Sequence, residues 1–268
     1  MTLEQALALD AADPLGGYRA QFMCPDGVIY LDGNSLGQLP VSTVTAGAEL
    51  LNHAWGQRLI RSWNEGWIDA PQRVGAMIAP LIGAAPDEVI SADSTSVNLY
   101  KLIVAALRLD PKRNVVVSEA GNFPTDLHIA EGAVAAVAGA ELRIVERGAL
   151  AEALGDDTAL LMLTHVHYKS AAVHDMAALT ELAHAKGAIT VWDLAHSAGA
   201  TPVQLAAANA DFALGCTYKY LNGGPGAPAF LYVKPSVAAG LEPSVTGWFG
   251  RKDPFAFDPH LDWADGAR

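Results

Sequence analysis

The chain has 268 residues and a net charge of −12, from 17 lysines and arginines against 29 aspartates and glutamates. Hydrophobic residues make up 51% of the sequence and charged residues 17%, which excludes disorder, collagen-like repeats and coiled coils and predicts a globular protein of one large or two smaller domains. Because nucleic-acid binding needs clustered cations, the acidic balance argues against a nucleic-acid partner.

An N-terminal arm over residues 1–40 precedes the predicted core and contains the turn-rich sequence YLDGNSLGQLP. From residue 41 to 235 the sequence predicts an α/β domain, in which short apolar runs alternate with helix-length spacers. The predicted strands are residues 88–92, 114–118, 141–145, 159–164, 188–193, 211–215 and 229–233. Continuous apolar runs of this kind are buried on both faces, so we expect a mostly parallel seven-stranded sheet flanked by helices.

Two of the spacers have the apolar periodicity of helices that cover such a sheet. The first spacer carries it at Leu99, Leu102, Ile103, Ala106 and Leu107, and the second at Met176, Leu179, Leu182 and Ala183. After the domain, residues 236–268 contain the sequence TGWFG and complete no obvious structural unit.

The sequence predicts a cytoplasmic protein without a membrane partner. Its N-terminus lacks the positive start and apolar stretch of a secretory signal. The longest weakly polar stretches are far shorter than the roughly 20 apolar residues that a membrane span needs. Cys24 and Cys216 are too few for a disulfide framework and lack a paired metal-ligand spacing, which indicates reduced thiols.

Residues that bind ligands or catalyse a reaction are expected where the strands end, because ligands of open α/β sheets bind at the carboxyl ends of the strands. After the first strand, Thr95 and Ser96 begin a predicted helix, where hydroxyl and backbone N–H groups can bind an anion. An ordinary N-cap is the alternative explanation. After the second strand, Pro124 restricts Phe123 to an extended conformation that can hold its ring over a flat ligand, with core packing as the alternative.

Two further strand ends carry titratable residues. His165 and His167 follow the fourth strand, but neither a carboxylate nor a third histidine follows at a usual spacing, so we expect no metal site. Asp193 ends the fifth strand, three residues before His196, and a carboxylate buried there needs a cationic partner.

The next strand leads to Lys219, which lies between Tyr218 and Tyr220 and precedes a glycine-rich turn. Such a turn lets the backbone approach a ligand closely. A lone lysine is usually a solvated surface residue, but Lys219 follows the strand after Asp193 and is therefore a candidate for a desolvated amine that forms a Schiff base.

Together these groups fit pyridoxal 5'-phosphate (PLP). This cofactor needs a lysine for its aldehyde, an acid beside its pyridine nitrogen, an aromatic face for its ring and a helix N-terminus for its phosphate. The order of hydroxyl groups, Phe123, Asp193 and Lys219 along successive strand ends supplies all four.

Several longer motifs together resemble the kynureninase family of PLP enzymes. They are YLDGNSLGQLP, SADSTSVNLYKL, NFPTD, THVHYKS, WDLAHSAGA, CTYKYLNGGPGAPAF and TGWFG, and they extend over essentially the whole chain. The resemblance implies the fold type I of PLP enzymes and a cytosolic homodimer with its active site at the interface. It also implies hydrolysis of L-kynurenine, or of 3-hydroxykynurenine, to anthranilate or 3-hydroxyanthranilate and L-alanine, in tryptophan catabolism and NAD biosynthesis.

The resemblance also assigns roles to individual residues. Lys219 is similar to the lysine that binds the cofactor, Asp193 to the partner of the pyridine nitrogen, and Phe123 to the residue stacked on the ring. Tyr218 is similar to the tyrosine that binds the phosphate and is also a candidate proton carrier. The candidate catalytic residues are therefore Lys219, Asp193 and Tyr218. The other residues assigned to the cofactor are Thr95, Ser96, Asp126, Thr164, His196 and Trp248. The residues assigned to the substrate are Asn34 and Ser35.

Members of that family are longer than this chain, and the part beyond it carries most of the small domain, including the arginine expected to hold the substrate carboxylate. We therefore expect the small C-terminal domain to be largely missing, with residues 236–268 forming an interface loop and the start of that domain. Two alternatives remain open. One is another class V PLP enzyme, a cysteine desulfurase or an aminotransferase, although Cys216 is poorly placed for the catalytic cysteine of a desulfurase. The other is an inactive fragment that binds the cofactor.

Overall fold

A computed structural model describes residues 1–257, 259 and 262–264, so the end of the predicted segment 236–268 lies outside the described residues. The chain forms two compact units. Residues 1–68 and 218–226 form one of them, which we call the arm unit. Residues 69–217 and the described residues from 227 onward form the other, which we call the sheet unit.

The arm unit is mostly helical. Its helices are α1 (Leu3–Ala12) and α2 (Val41–Glu49), a π-helix (Leu50–Arg58) that continues α2, and the 3₁₀ helices Gly16–Gln21 and Leu59–Trp63. No side chain of α1, α2 or the π-helix is buried. Burial of apolar surface within these helices therefore contributes little to holding the unit together.

The sheet unit contains one seven-stranded sheet. Its strands are β1 (Val89–Ser91), β2 (Val115–Glu119), β3 (Glu141–Val145), β4 (Thr158–Thr164), β5 (Ile189–Asp193), β6 (Phe212–Gly215) and β7 (Phe230–Val233). Their order across the sheet is β1-β7-β6-β5-β4-β2-β3. Strand β7 is antiparallel to both of its neighbours, and the other pairs are parallel. The predicted α/β fold with a mostly parallel seven-stranded sheet is confirmed, and each predicted strand ends within one residue of the observed one.

Helices connect most of these strands. They are α3 (Ala70–Ile78), α4 (Thr95–Leu109), α5 (Pro124–Ala135), α6 (Leu150–Ala153), α7 (Met176–Ala185) and α8 (Pro235–Ala238), with 3₁₀ helices at Ala79–Ile82, Pro86–Glu88, Arg147–Ala149 and Trp248–Gly250. Both periodic spacers are helical, as predicted. All five apolar positions predicted for α4 are buried, and in α7 Met176 and Ala183 are buried. Among the described residues, no helix combines the length and the apolar character that a membrane crossing requires.

The core of the sheet unit lies where α4 and α5 pack against the central strands. Every residue of β2, β4 and β6 is buried. The prediction that all seven apolar runs are buried on both faces is wrong for β3, where Ile144 is 45% exposed. Strand β3 lies at the edge of the sheet and pairs with β2 alone, so fewer neighbours cover it.

Candidate functional site

The carboxyl ends of strands β1 to β6 lie at one edge of the sheet. Strands β1 and β6 point the same way because both are antiparallel to β7, and β2 to β5 are parallel to β6. Several of the predicted site residues follow or end these strands: Thr95, Ser96, Phe123, Asp126, Thr164, Asp193 and His196. The sheet topology thus brings these residues of the sheet unit to a common edge, as the sequence predicted.

The N-terminus of α4 offers backbone donors at this edge. Ser94 is the N-cap, since its side chain accepts a hydrogen bond from the Val97 N–H at 3.3 Å. The alternative explanation of an ordinary N-cap therefore applies to Ser94, and Thr95 and Ser96 are the first residues of the helix. First-turn N–H groups have no acceptor inside the helix, and the positive end of the helix dipole lies there. This arrangement suits an anion.

A buried amide links the ends of β2 and β4. Asn122 is 3% exposed, and its Oδ1 accepts hydrogen bonds from the Phe123 N–H at 2.7 Å and from the Thr164 hydroxyl. Its Nδ2 donates to Ser118 Oγ at 3.0 Å. The Thr164 hydroxyl also lies 3.2 Å from Asp126 Oδ2. Sequence reasoning did not single out Asn122, although a polar residue between a strand end and a helix that starts with proline was the available signal.

Phe123 carries an aromatic ring that is only partly buried. Its backbone is extended, with φ −58° and ψ 129°, as expected for the residue before Pro124. The ring centroid lies 5.1 Å from that of Tyr168 and 6.4 Å from that of His196, both in edge-on arrangements. Phe123 is half-buried, so part of the residue is accessible beyond the end of β2.

Asp193 places a carboxylate at the end of β5 that is only 6% exposed. Its Oδ1 accepts a hydrogen bond from the Ala195 N–H at 2.7 Å, and its carbonyl oxygen accepts one from the His165 N–H at 2.9 Å. In the strand register Asp193 lies beside Thr164 of β4. A carboxylate this buried is costly unless hydrogen bonds or a cation stabilise it.

Another buried acid, Glu119, was not predicted as a site residue. Its Oε1 lies 3.0 Å from His174 Nε2, and both side chains are 3% exposed. Burial raises the pKa of Glu119, but the hydrogen bond and charge of His174, with a smaller contribution from Arg147, leave that pKa below its ordinary value. Burial lowers the pKa of His165, and repulsion from His174 lowers it further. Local sequence patterns could not predict this pair because its members are 55 residues apart.

Lys219 lies in the arm unit and is 8% exposed. Its Nζ lies 5.9 Å from the ring centroid of Tyr218. Lys219 borders a cavity of about 230 Å³, whose other lining residues are Phe22, Tyr30, Gly33, Gly37, Gln38, Tyr220 and Asn222. A buried amine beside a cavity is the arrangement that the proposed Schiff base chemistry needs.

Asn34 and Ser35 belong to a turn of the same unit. The Ser35 N–H donates to the Asp32 carbonyl oxygen at 3.0 Å, and both predicted side chains are exposed. They are flanked by Gly33 and Gly37, which line the cavity beside Lys219. This part of the arm therefore lies beside Lys219.

Trp248 lies in the sheet unit, near the end of the described chain. Its ring centroid lies 4.2 Å from that of Phe249, 5.6 Å from that of Phe255 and 5.4 Å from that of Phe257. These contacts join Trp248 to an aromatic cluster of its own segment.

Curated relatives of this chain include two kynureninases. The kynureninase of Pseudomonas fluorescens is 50% identical over 272 residues, which cover 99% of this chain and 65% of that protein. The kynureninase of Burkholderia mallei (strain SAVP1) is 51% identical over 268 residues, which cover 97% of this chain and 64% of that protein. The chain thus spans about 65% of the length of these relatives.

Solved structures share the fold at much lower identity. A mutant of C-DES with glycine covalently linked to its PLP cofactor matches with a TM-score of 0.80 and 19% identity, over 92% of this chain and 67% of that one. The cysteine desulfurase CsdA from Escherichia coli matches with a TM-score of 0.72 and 19% identity, over 88% of this chain and 61% of that one. The aminotransferase class-V family model matches residues 29–253, and the chain accordingly belongs to that family and has its fold type I architecture.

Proposed function

We propose that this chain is the PLP-binding part of a kynureninase, which hydrolyses L-kynurenine or 3-hydroxykynurenine to anthranilate or 3-hydroxyanthranilate and L-alanine in tryptophan catabolism and NAD biosynthesis. The observation that carries the proposal is the 50–51% identity to two kynureninases over at least 97% of the chain. The desulfurase CsdA shares 19% identity, which supports a common fold and gives the desulfurase alternative no further weight.

The residues of the sheet unit fit the chemical groups of PLP. The first-turn N–H groups of Thr95 and Ser96 suit the phosphate, and the buried carboxylate of Asp193 suits a protonated ring nitrogen, because a cation stabilises a buried carboxylate. The partly exposed ring of Phe123 suits the face of the pyridine. When bound, the cofactor supplies an electrophilic aldehyde and a ring that withdraws electrons from the substrate.

Each residue then has a defined task. The Lys219 amine would hold the cofactor covalently and would serve as the base that accepts the proton from the substrate Cα. The Asp193 carboxylate keeps the proton on the ring nitrogen, and the Tyr218 hydroxyl binds the phosphate and carries protons beside Lys219. Asp126, Thr164 and His196 orient the groups around the cofactor, supported by the hydrogen bond between Thr164 and Asp126 and by the ring contact of His196 with Phe123. Asn34 and Ser35 bind the substrate.

A cofactor titration tests this proposal. PLP added to the chain should produce a visible absorption band that Lys219→Ala abolishes, whereas Lys112→Ala, which changes an exposed lysine, should keep it. Kynurenine should then release fluorescent anthranilate. A wild-type chain without the band contradicts the proposal. A band without anthranilate release favours the fragment that only binds cofactor, and sulfide release from cysteine favours a desulfurase.

We also propose that the protein is a homodimer, with Trp248 in a loop that contributes to the active site at the interface. Exposed apolar side chains of the arm unit support a protein interface. They are Val41, Val44, Leu50, Leu51, Trp55, Leu59 and Ile60, each at least 48% exposed. Light scattering should give twice the chain mass for the wild type and the single mass for Trp55→Glu, and a monomeric wild type contradicts the proposal.

A cytoplasmic location is proposed as well. Its support is the cysteine content, because two cysteines, Cys24 and Cys216, are too few for a disulfide framework and suit a reducing compartment. Cell fractionation should recover the protein with cytoplasmic markers, and recovery with exported proteins would contradict this location.

A further inference from the structure

The arm touches the lysine-bearing turn at one glycine. The Gly37 N–H donates a hydrogen bond to the Tyr218 carbonyl oxygen at 2.8 Å. A β-carbon added to Gly37 would overlap with the Lys219 carbonyl oxygen and with Asn222 Oδ1, and would lie 2.9 Å from Asn222 Cα. The backbones approach each other so closely that residue 37 has no room for any side chain.

The arm around Gly37 is held in shape by its own hydrogen bonds. The Tyr30 hydroxyl donates to the Leu36 carbonyl oxygen at 2.7 Å and lies 3.2 Å from the Asp32 carbonyl oxygen. The Met23 N–H donates to the Leu39 carbonyl oxygen at 2.8 Å. Residues 23–39 therefore form a closed loop whose later part rests on the lysine turn.

The lysine turn is built from residues with unusual backbone angles. Asn222 has φ +54°, and Gly224 and Gly226 have φ +86° and +76°. Within the turn, the Asn222 N–H donates a hydrogen bond to the Lys219 carbonyl oxygen at 3.1 Å. Since glycines allow many conformations, contacts from outside the turn have to select the one that directs the lysine.

We propose that Gly37 is a positioning residue for Lys219. Its N–H holds the peptide that precedes the lysine, and its missing side chain lets the arm press against the carbonyl group of the lysine itself. This double contact fixes the direction in which the Lys219 amine enters the neighbouring cavity. The inference rests on the proposed role of Lys219 in binding PLP.

The test compares two glycines of the same arm. Gly37→Ala should force the arm and the lysine turn apart, whereas a β-carbon on Gly17, which does not line the cavity, would meet nothing within 4 Å. Each variant is incubated with PLP and reduced with borohydride, and mass spectrometry gives the ratio of label on Lys219 to label on exposed Lys112. A displacement of about 1 Å can cost on the order of 100-fold in a positioned reaction, so we expect at least a tenfold lower ratio for Gly37→Ala and an unchanged ratio for Gly17→Ala.

The ratio separates positioning from folding and from the proposed function. Equal ratios for Gly37→Ala and the wild type, with or without a lower Tm, would overturn the positioning role. A wild type that labels Lys219 no better than Lys112 would overturn the proposed function itself. If Gly37→Ala does not fold, Tyr30→Phe decides the question: it removes the two hydroxyl contacts, and a ratio below the wild type supports the positioning role while an unchanged ratio contradicts it.

Discussion

The sheet unit and the arm unit differ in what holds them together. In the sheet unit, whole strands are buried, and α4 packs a continuous apolar face against them. In the arm unit, no side chain of α1 or α2 is buried, and the segment between these helices is held by backbone hydrogen bonds, a tyrosine hydroxyl and one close approach at Gly37. The stability of the sheet unit is therefore spread over many residues, whereas the geometry of the arm depends on a few.

The largest expected effect on stability comes from a substitution in the core of the sheet unit. Phe212 in β6 is fully buried, so Phe212→Ala should lower the free energy of unfolding by about 3–5 kcal/mol. Leu9→Ala in α1 removes a side chain that is 63% exposed and should change the free energy of unfolding by less than about 0.5 kcal/mol. Urea unfolding measures both values. Similar losses for the two variants would contradict the difference between the units.

The next largest effect is expected for the buried pair of Glu119, at the carboxyl end of β2, and His174. Glu119→Gln replaces a charged partner of His174 and should cost about 1.5–3 kcal/mol at pH 7. Because the pKa of Glu119 is lowered in the folded state, its stabilising contribution is present above the ordinary pKa of glutamate and is lost as the pH falls through the folded-state pKa. The stability difference between wild type and variant should therefore shrink in acid.

Glu131→Gln, an exposed position in α5, provides the control for this pH dependence. Its unfolding free energy should follow that of the wild type at every pH. A Glu119→Gln variant that also follows the wild type would show that the pair with His174 contributes nothing to stability.

The same contrast explains what the sequence could predict. The strands were found within one residue because apolar runs record burial locally. Asp193 was located because it ends such a run, and Phe123 because it lies in the loop after β2, directly before Pro124. The exposure of β3 was missed, although its sequence ELRIV contains Glu141 and Arg143 whereas the central strand β4, TALLMLT, contains no charged residue. Position in the sheet depends on the order of strands, which local periodicity does not encode.

Contacts between distant segments were beyond local patterns. Glu119 meets His174 and Asn122 meets Thr164 only after β2 and β4 pair. Gly37 is one of 25 glycines in the chain, and nothing in its neighbourhood indicated that it would lie against Lys219. The motifs therefore gave the candidate chemistry, while the partners that hold those residues in place needed the structure.

A smaller effect is expected at the exposed edge of the sheet unit. Arg143 of β3 forms an ion pair with Asp157 at 2.7 Å, and both side chains are more than a third exposed. Asp157→Asn should lower the free energy of unfolding by about 0.5–1 kcal/mol in low salt, and less in 1 M salt, because ions screen exposed pairs. Asp156→Asn, at the exposed neighbouring position, should have no effect. A loss that is independent of salt would contradict a role for the ion pair.

The smallest effect on global stability is expected at the N-terminus of α1 in the arm unit. The Thr2 hydroxyl accepts a hydrogen bond from the Gln5 N–H at 3.3 Å, and Gln5 Oε1 accepts one from the Thr2 N–H at 2.8 Å, which forms a capping box. Thr2→Ala should cost the helix about 1 kcal/mol. Because α1 has no buried side chain, this cost should open the helix locally, so amide hydrogen exchange in residues 3–12 should become faster while the urea midpoint stays unchanged. A shifted midpoint would mean that α1 unfolds together with the rest of the protein, and the arm would then share the cooperative stability of the sheet.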